Sequence, residues 1–223
     1  MVLSAVANAG SFSIDIARYS DVISSEADLR AILGHPSAGA AGKAIDHIDS
    51  HFAAFIGVSP FVLIGSSDGD GNQDVSPKGD AAGFVVVVDE HTLAIPDRPG
   101  NRRGDTLTNI LANPKVALYF MVPGSVETLR VQGRATIVRD ANLRDRMSAR
   151  GKSPELAIVV DVAEAFMHCA KCMIRSELWN SQSWPSPATV PSLSSAIIEQ
   201  KGLSITRQEM AASLAKDIER RLY

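Results

Sequence analysis

The alternation from Thr128 to Val138 limits the fold more than any other stretch of this chain. Leu129, Val131, Gly133, Ala135 and Ile137 alternate with Thr128, Arg130, Gln132, Arg134 and Thr136. A period of two sends successive side chains to opposite faces, so the stretch reads as a long strand, apolar on one side and polar on the other. Arg130, Gln132 and Arg134 then stand in a row on the polar side. Solvent and the polar edge of a ligand are both open as what that row faces.

Other strands follow from the same logic. Phe61 to Ser66 is apolar, Asp68-Gly69-Asp70-Gly71-Asn72 is a rich turn signal, and Gln73 to Lys78 returns as the second arm of a hairpin. On the return arm Asp74, Ser76 and Lys78 share a face, and Pro77, which has no N–H to donate, marks a sheet edge or bulge. Phe84 to Val88, Thr92 to Ile95, Lys115 to Val122 and Leu156 to Val162 are further strands. Lys115 to Val122 is apolar on both faces, which predicts cover on both sides, a second subunit being one source. Six or seven antiparallel strands with short connections predict a closed β-barrel flanked by helices, a mainly β, α+β chain.

The helices are fewer. Ser24-Ser25-Glu26 is a helix start, with Leu29, Ile32 and Leu33 on one face and Gly34 as the stop, followed by a linker from His35 to Gly42. Ile45, Ile48, Phe52, Phe55 and Ile56 predict a helix from about Lys43 to Ile56. A short helix beginning near Asp105, expected as its cap, ends at Asn113-Pro114. Asp140 to Arg150 reads as a polar helix. The tail carries a capping box, Thr206 and Glu209, ahead of a stripe of Met210, Leu214, Ile218 and Leu222. The domain reading is 1–58 as a helical arm, 59–184 as the barrel and 185–223 as a helical tail.

Composition excludes several function classes. A formal charge of −3 gives no general reason to expect nucleic acid. The longest apolar runs are strand-sized, so no membrane span is expected, and with no export signal the expected location is cytoplasmic. The two cysteines, Cys169 and Cys172, form one Cys-x-x-Cys pair, whereas a zinc site needs two more ligands. His47 and His51 are four apart on the expected second helix, but Asp46 and Asp49 do not lie squarely with them. No metal is expected.

The chemistry concentrates in one loop. After Ser76-Pro77-Lys78-Gly79-Asp80 and a buried strand comes Pro96-Asp97-Arg98-Pro99-Gly100-Asn101-Arg102-Arg103-Gly104-Asp105. Arginine forks, glycines that let backbone N–H groups converge, and a helix N-terminus nearby are the parts of a phosphate site. A solvated basic turn is the plainer reading of such a loop. Asp105 at a helix start would compete with an anion for the N–H groups, so it is expected to orient an arginine.

Taken in order, the hairpin, Ser-Pro-Lys-Gly-Asp, the Pro-Asp-Arg-Pro-Gly-Asn-Arg loop, Asn-Pro-Lys-Val-Ala-Leu and Leu-Arg-Val-x-Gly-Arg-Ala resemble the pyridoxamine 5′-phosphate oxidase-like FMN-binding split barrels, closest to a bacterial branch with a His-Cys-Ala-Lys segment. The resemblance runs from about Ser59 to Trp184. It implies a six-stranded antiparallel Greek-key split barrel, a homodimer, and FMN in a cleft between subunits. Carried onto this chain, it implies that Ser76 and Lys78 line the isoalloxazine, that Arg98, Asn101, Arg102 and Arg103 hold the phosphate, and that Gln132 reaches the flavin edge. The segment from His168 through Lys171 to Trp179 would come from the other subunit. The implied activity is that of an FMN-dependent oxidoreductase acting on a small molecule, with NAD(P)H a candidate reductant. The alternative is a non-catalytic flavin or haem binding or sensor protein. The vitamin-oxidising members carry an Arg-Leu-x-Pro-like tail and an Arg-x-His pair, whereas this sequence ends Arg220-Arg221-Leu222-Tyr223 and shows no matching pair, so pyridoxamine phosphate is a poor fit as substrate.

Overall fold

Seven strands make one antiparallel sheet in the computed structural model, which describes residues 15–223. They are β1 (Phe61–Ser67), β2 (Gln73–Gly79), β3 (Val86–Asp89), β4 (Thr92–Asp97), β5 (Lys115–Met121), β6 (Thr128–Val138) and β7 (Leu156–His168), in the spatial order β2-β1-β5-β6-β7-β4-β3. The count is seven, not six. β2 and β3 are the two ends, and among the described residues no ladder joins them. Pro77 accordingly sits on an end strand, where its missing N–H costs no pairing. The architecture is α+β, an antiparallel sheet with flanking helices.

The described residues divide into two compact units between Gly42 and Lys43, and residues 1–14 of the expected helical arm lie outside the described residues. In the first, α1 (Glu26–Leu33) starts where the Ser25 hydroxyl accepts the Asp28 N–H and buries no residue. The expected linker after it contains one further helical turn, α2 (Ala38–Ala41), capped by Ser37.

The second unit holds the sheet and the remaining helices. The helix expected from Lys43 begins instead at Ser50, as α3 (Ser50–Val58). The reason is local: the Asp49 carboxylate accepts the Phe52 N–H at 2.8 Å, while Ile45 is drawn into a bridge with Ala165 and Ile48 N–H bonds to Glu90 O. Ile48, Phe52 and Ile56 still point into the core, but His47 lies off the helix, paired with Asp46.

One apolar core unites Val62 and Ile64 of β1, Leu118 and Phe120 of β5, Leu129 and Val131 of β6, Ile158 and Val160 of β7, and Leu93 and Ile95 of β4. Cross-strand pairing puts these residues on one face of the sheet, so the core is built on that face. The remaining helices are α4 (Asp105–Ala112), α5 (Ala141–Arg146), α6 (Lys171–Arg175), α7 (Leu193–Lys201) and α8 (Arg207–Arg221). The capping box is in place on α8, but of its apolar stripe only Met210 and Leu214 are half-buried.

Three strand expectations change. β5 buries one face, Val116, Leu118 and Phe120, while Ala117 is exposed and Tyr119 and Met121 are half-buried, so both-sided cover is not met within the chain. β3 starts at Val86, because Phe84 and Val85 belong to the buried turn before it. β7 runs six residues past Val162, to His168. Its register skips Ala163: Gln132 pairs with Glu164 and Gly133 with Val162. A bulge shifts the inward phase from Ile158 and Val160 to Ala165 and Met167, and that slip hides the second half of the strand from a period-two reading. Gly133 sits at the bulge, where an added Cβ would collide with Asp161 O. The polar helix is shorter than expected, Asp140 capping α5 through the Leu143 N–H.

Candidate functional site

The parts of the basic loop meet the return arm of the hairpin. β2 sets Asp74, Ser76 and Lys78 on one half-buried face, and β4 delivers the chain into the loop beside them. The resulting cleft has a volume of about 770 Å³, within the usual range for a small-molecule or cofactor site. Ser76, Lys78, Arg98, Asn101, Arg102 and Arg103 all line it, together with the first turn of α4.

The three loop arginines are not equivalent. Arg98 donates from Nε to Asp80 Oδ2 at 2.6 Å and from Nη2 to Met147 O at 2.8 Å, which leaves its second amino group without a partner among the described residues. Arg103 donates from Nε to Asp105 Oδ2 at 2.7 Å in an exposed pair. Asp105 therefore orients an arginine, and it does not cap α4. The cap position belongs to Gly104, in the left-handed region at φ 71°, and no side chain caps the first turn. Arg102 makes no hydrogen bond or ion pair among the described residues, and it too is left-handed, at φ 61°. Asn101 Oδ1 accepts the Arg103 N–H at 2.9 Å, a local turn that throws Arg102 to the apex.

The electrostatics favour an anion at this end. Lys78, Arg98, Arg102, Arg103 and Lys152 line the cleft together with Asp74, Asp97, Asp105 and Glu155. Asp105 is spent on Arg103, and among the described residues Lys78 bonds only to the neutral Ser76 hydroxyl, at 3.0 Å. Burial pushes the Asp97 carboxyl above its usual range, against the pull of Lys78. An uncapped helix start, a free arginine and a second, held arginine make a donor set that suits a phosphomonoester.

The other four expected residues do not line this cleft. Gln132, exposed on β6, donates to Glu164 on β7 at 3.0 Å. His168 ends β7 with its ring edge-on to Tyr119, and its buried Nδ1 has no partner among the described residues. Lys171 is exposed at the start of α6, and Trp179 Nε1 donates to Ser125 O at 2.7 Å. Near His168, Phe166 lies between Lys43 and Arg130, whose charged groups sit 4.9 and 5.1 Å from its ring centre. Cys169 and Cys172 are both exposed, and among the described residues no three His, Cys, Asp or Glu side chains are grouped to hold a metal. No helix among those residues is long and apolar enough to cross a membrane. Two stretches of the cleft wall, Lys152 to Glu155 and Tyr223, escaped the sequence reading. Neither carries a local signal, because each arrives from a distant segment.

Known proteins were compared with the chain. No curated protein matches it. Among solved structures, HupZ of Group A Streptococcus is 17% identical over 54% of this chain and 93% of its own, with a TM-score of 0.44. A putative pyridoxamine 5′-phosphate oxidase from Lactobacillus delbrueckii is 23% identical over 55% and 95%, with a TM-score of 0.45. An FMN-binding protein from Syntrophomonas wolfei is 12% identical over 52% and 81%, with a TM-score of 0.40. The sequence model of pyridoxamine 5′-phosphate oxidase matches residues 48–169, more than half of the 223-residue chain, and the match takes in β1 to β7 and the arginine loop. The protein belongs to the pyridoxamine 5′-phosphate oxidase family.

Proposed function

We propose that the protein is an FMN-dependent oxidoreductase that works as a homodimer, its barrel formed by the sheet curling on itself. The observation that carries the reading is the convergence of Arg98, Arg102 and the uncapped start of α4 on one cleft. These groups bind the flavin phosphate: Arg102 with a free fork, Arg98 with the amino group that Asp80 and Met147 leave over, and α4 with its first N–H groups. Lys78 and Ser76 line the same cleft and would hold the flavin's ring system, Lys78 supplying a cation to it. When bound, FMN supplies the electron transfer, and the protein supplies binding, orientation and electrostatics.

The homodimer completes the site. Gln132, His168, Lys171 and Trp179 are absent from the lining of their own cleft, and cross-strand pairing sets Gln132 beside Ala117 and His168 in the row of Thr128 and Met121, where β5 is incompletely covered. A second copy seated there would cover this face and bring the segment from His168 to Trp179 to its partner's cleft.

Titration of the purified protein with FMN and riboflavin, followed by flavin fluorescence and absorption, tests the reading. FMN should bind at least about a hundredfold more tightly, since charge-assisted contacts are worth about 1.5–3 kcal/mol each and 1.4 kcal/mol is a factor of ten. Equal affinities would leave the loop a solvated basic turn. Tight FMN binding without turnover by any reductant would favour a binding or sensor protein.

A further inference from the structure

We propose that Tyr223 closes the phosphate end of the cleft as the seated end of a strap formed by α8, and that through Asp80 it positions Arg98 toward the bound phosphate. The inference rests on the flavin-phosphate reading above and adds a distant part of the chain to that site.

Tyr223 is part of the cleft wall. Three groups form its seat. Its hydroxyl donates to Asp80 Oδ1 at 2.6 Å, Lys152 Nζ donates to its main-chain oxygen at 2.9 Å, and the Arg150 guanidinium lies 4.5 Å over its ring. Asp80 uses its other oxygen to hold Arg98 Nε. One carboxylate therefore ties the cleft's held arginine to a tyrosine 143 residues away in sequence. Burial opposes the charge on Asp80, but donation from Tyr223, the Ala81 N–H and Arg98 outweighs it and keeps the carboxyl below its usual range. An ionised Asp80 is the stronger acceptor for both partners.

The rest of α8 is lightly held. It packs on α7, and Ile218, near its end, is 62% exposed. A helix with so little burial opens at low cost, and the hydrogen bonds at its end decide where it rests. Seated, Tyr223 narrows the exit beside Arg98. Unseated, it frees the cleft mouth and removes one of the donors that fix Asp80. Seating therefore slows ligand release and improves the aim of Arg98.

The test uses the full chain with FMN as probe and compares wild type with Tyr223→Phe and Tyr223→Ala. The phenylalanine keeps the ring under Arg150 and removes only the hydroxyl. FMN dissociation should quicken by about fivefold in Tyr223→Phe and further in Tyr223→Ala, with association nearly unchanged. Riboflavin release should change less in Tyr223→Phe, because the effect runs through Arg98 to the phosphate. Without ligand, amide exchange across 207–221 should rise in both variants while the sheet stays protected. Unchanged FMN release in Tyr223→Ala would overturn the strap and leave the flavin reading standing. A wild type that binds no FMN would overturn both.

Discussion

Arg98 Nε and Asp80 Oδ2 meet at 2.6 Å in the cleft wall, their side chains 16% and 3% exposed, whereas Arg102, four residues on, has no partner among the described residues. The same residue type thus has two roles. Arg98 is part of the frame and Arg102 is available to a ligand. Removing the first leaves a buried carboxylate short of one donor; removing the second leaves nothing unpaired.

Arg98→Ala should therefore lower stability by about 2 kcal/mol, less than a fully orphaned buried charge, because Asp80 keeps Tyr223 and the Ala81 N–H. For a chain of this size that is a fall in melting temperature of about 4–8 °C, readable by calorimetry. No change in melting temperature would show that the pair is not part of the frame.

Arg102→Gly should do the reverse. Glycine takes φ 61° without strain, so the melting temperature should hold or rise, while FMN affinity falls about tenfold and riboflavin affinity barely moves. A titration of both ligands against both proteins reads this directly. Strain kept at an unpartnered cation is the pattern of a binding residue, and a variant that binds FMN normally would remove Arg102 from the site.

How much of this was legible in the sequence varies with distance along the chain. The β6 alternation and the β1–β2 hairpin were readable because strand faces and turns are written locally. The meeting of Ser76 and Lys78 with the arginine loop was implied only by the family resemblance, since β2 and β3 stand at opposite ends of the sheet order. The second half of β7 was hidden by the bulge at Ala163, which reverses the inward phase. The start of α3 was misread because Ile45 and Ile48 keep an apolar spacing while their backbones bond to Ala165 and Glu90. The split between Arg98 and Arg102 depends on Asp80 and Met147, and the Tyr223 seat depends on a contact across 143 positions. No local pattern encodes a pairing of that kind.

Gly133→Ala tests the bulge. The new Cβ would meet the Asp161 carbonyl oxygen, a backbone atom that cannot turn aside, so β6 and β7 must separate locally. The expected outcome is a loss of about 3 kcal/mol or more, or failure to fold, since overpacking costs about 1–3 kcal/mol even where side chains can give way. Gly100→Ala, at a position with open space around it, is the control and should leave stability within about 0.5 kcal/mol.

His168 gives a pH dependence whose sign follows from its surroundings. Burial lowers its pKa first, and the positive charges of Lys43 and Arg130 lower it further. The folded state therefore prefers the neutral ring, and the unfolded chain binds the proton more readily, near its ordinary value of about 6.5. Above that value both states hold a neutral imidazole and this residue adds no slope. As pH falls from about 6.5 through the depressed folded value, stability drops, and below it the loss levels off. His168→Phe keeps an aromatic ring against Tyr119 and cannot titrate. The difference in melting temperature between wild type and His168→Phe, followed from pH 8 to pH 5, should be flat at the alkaline end and move steadily against wild type on the acid side. A difference that stays constant over the whole range would mean that neither burial nor the charges of Lys43 and Arg130 depress this ring's pKa in solution.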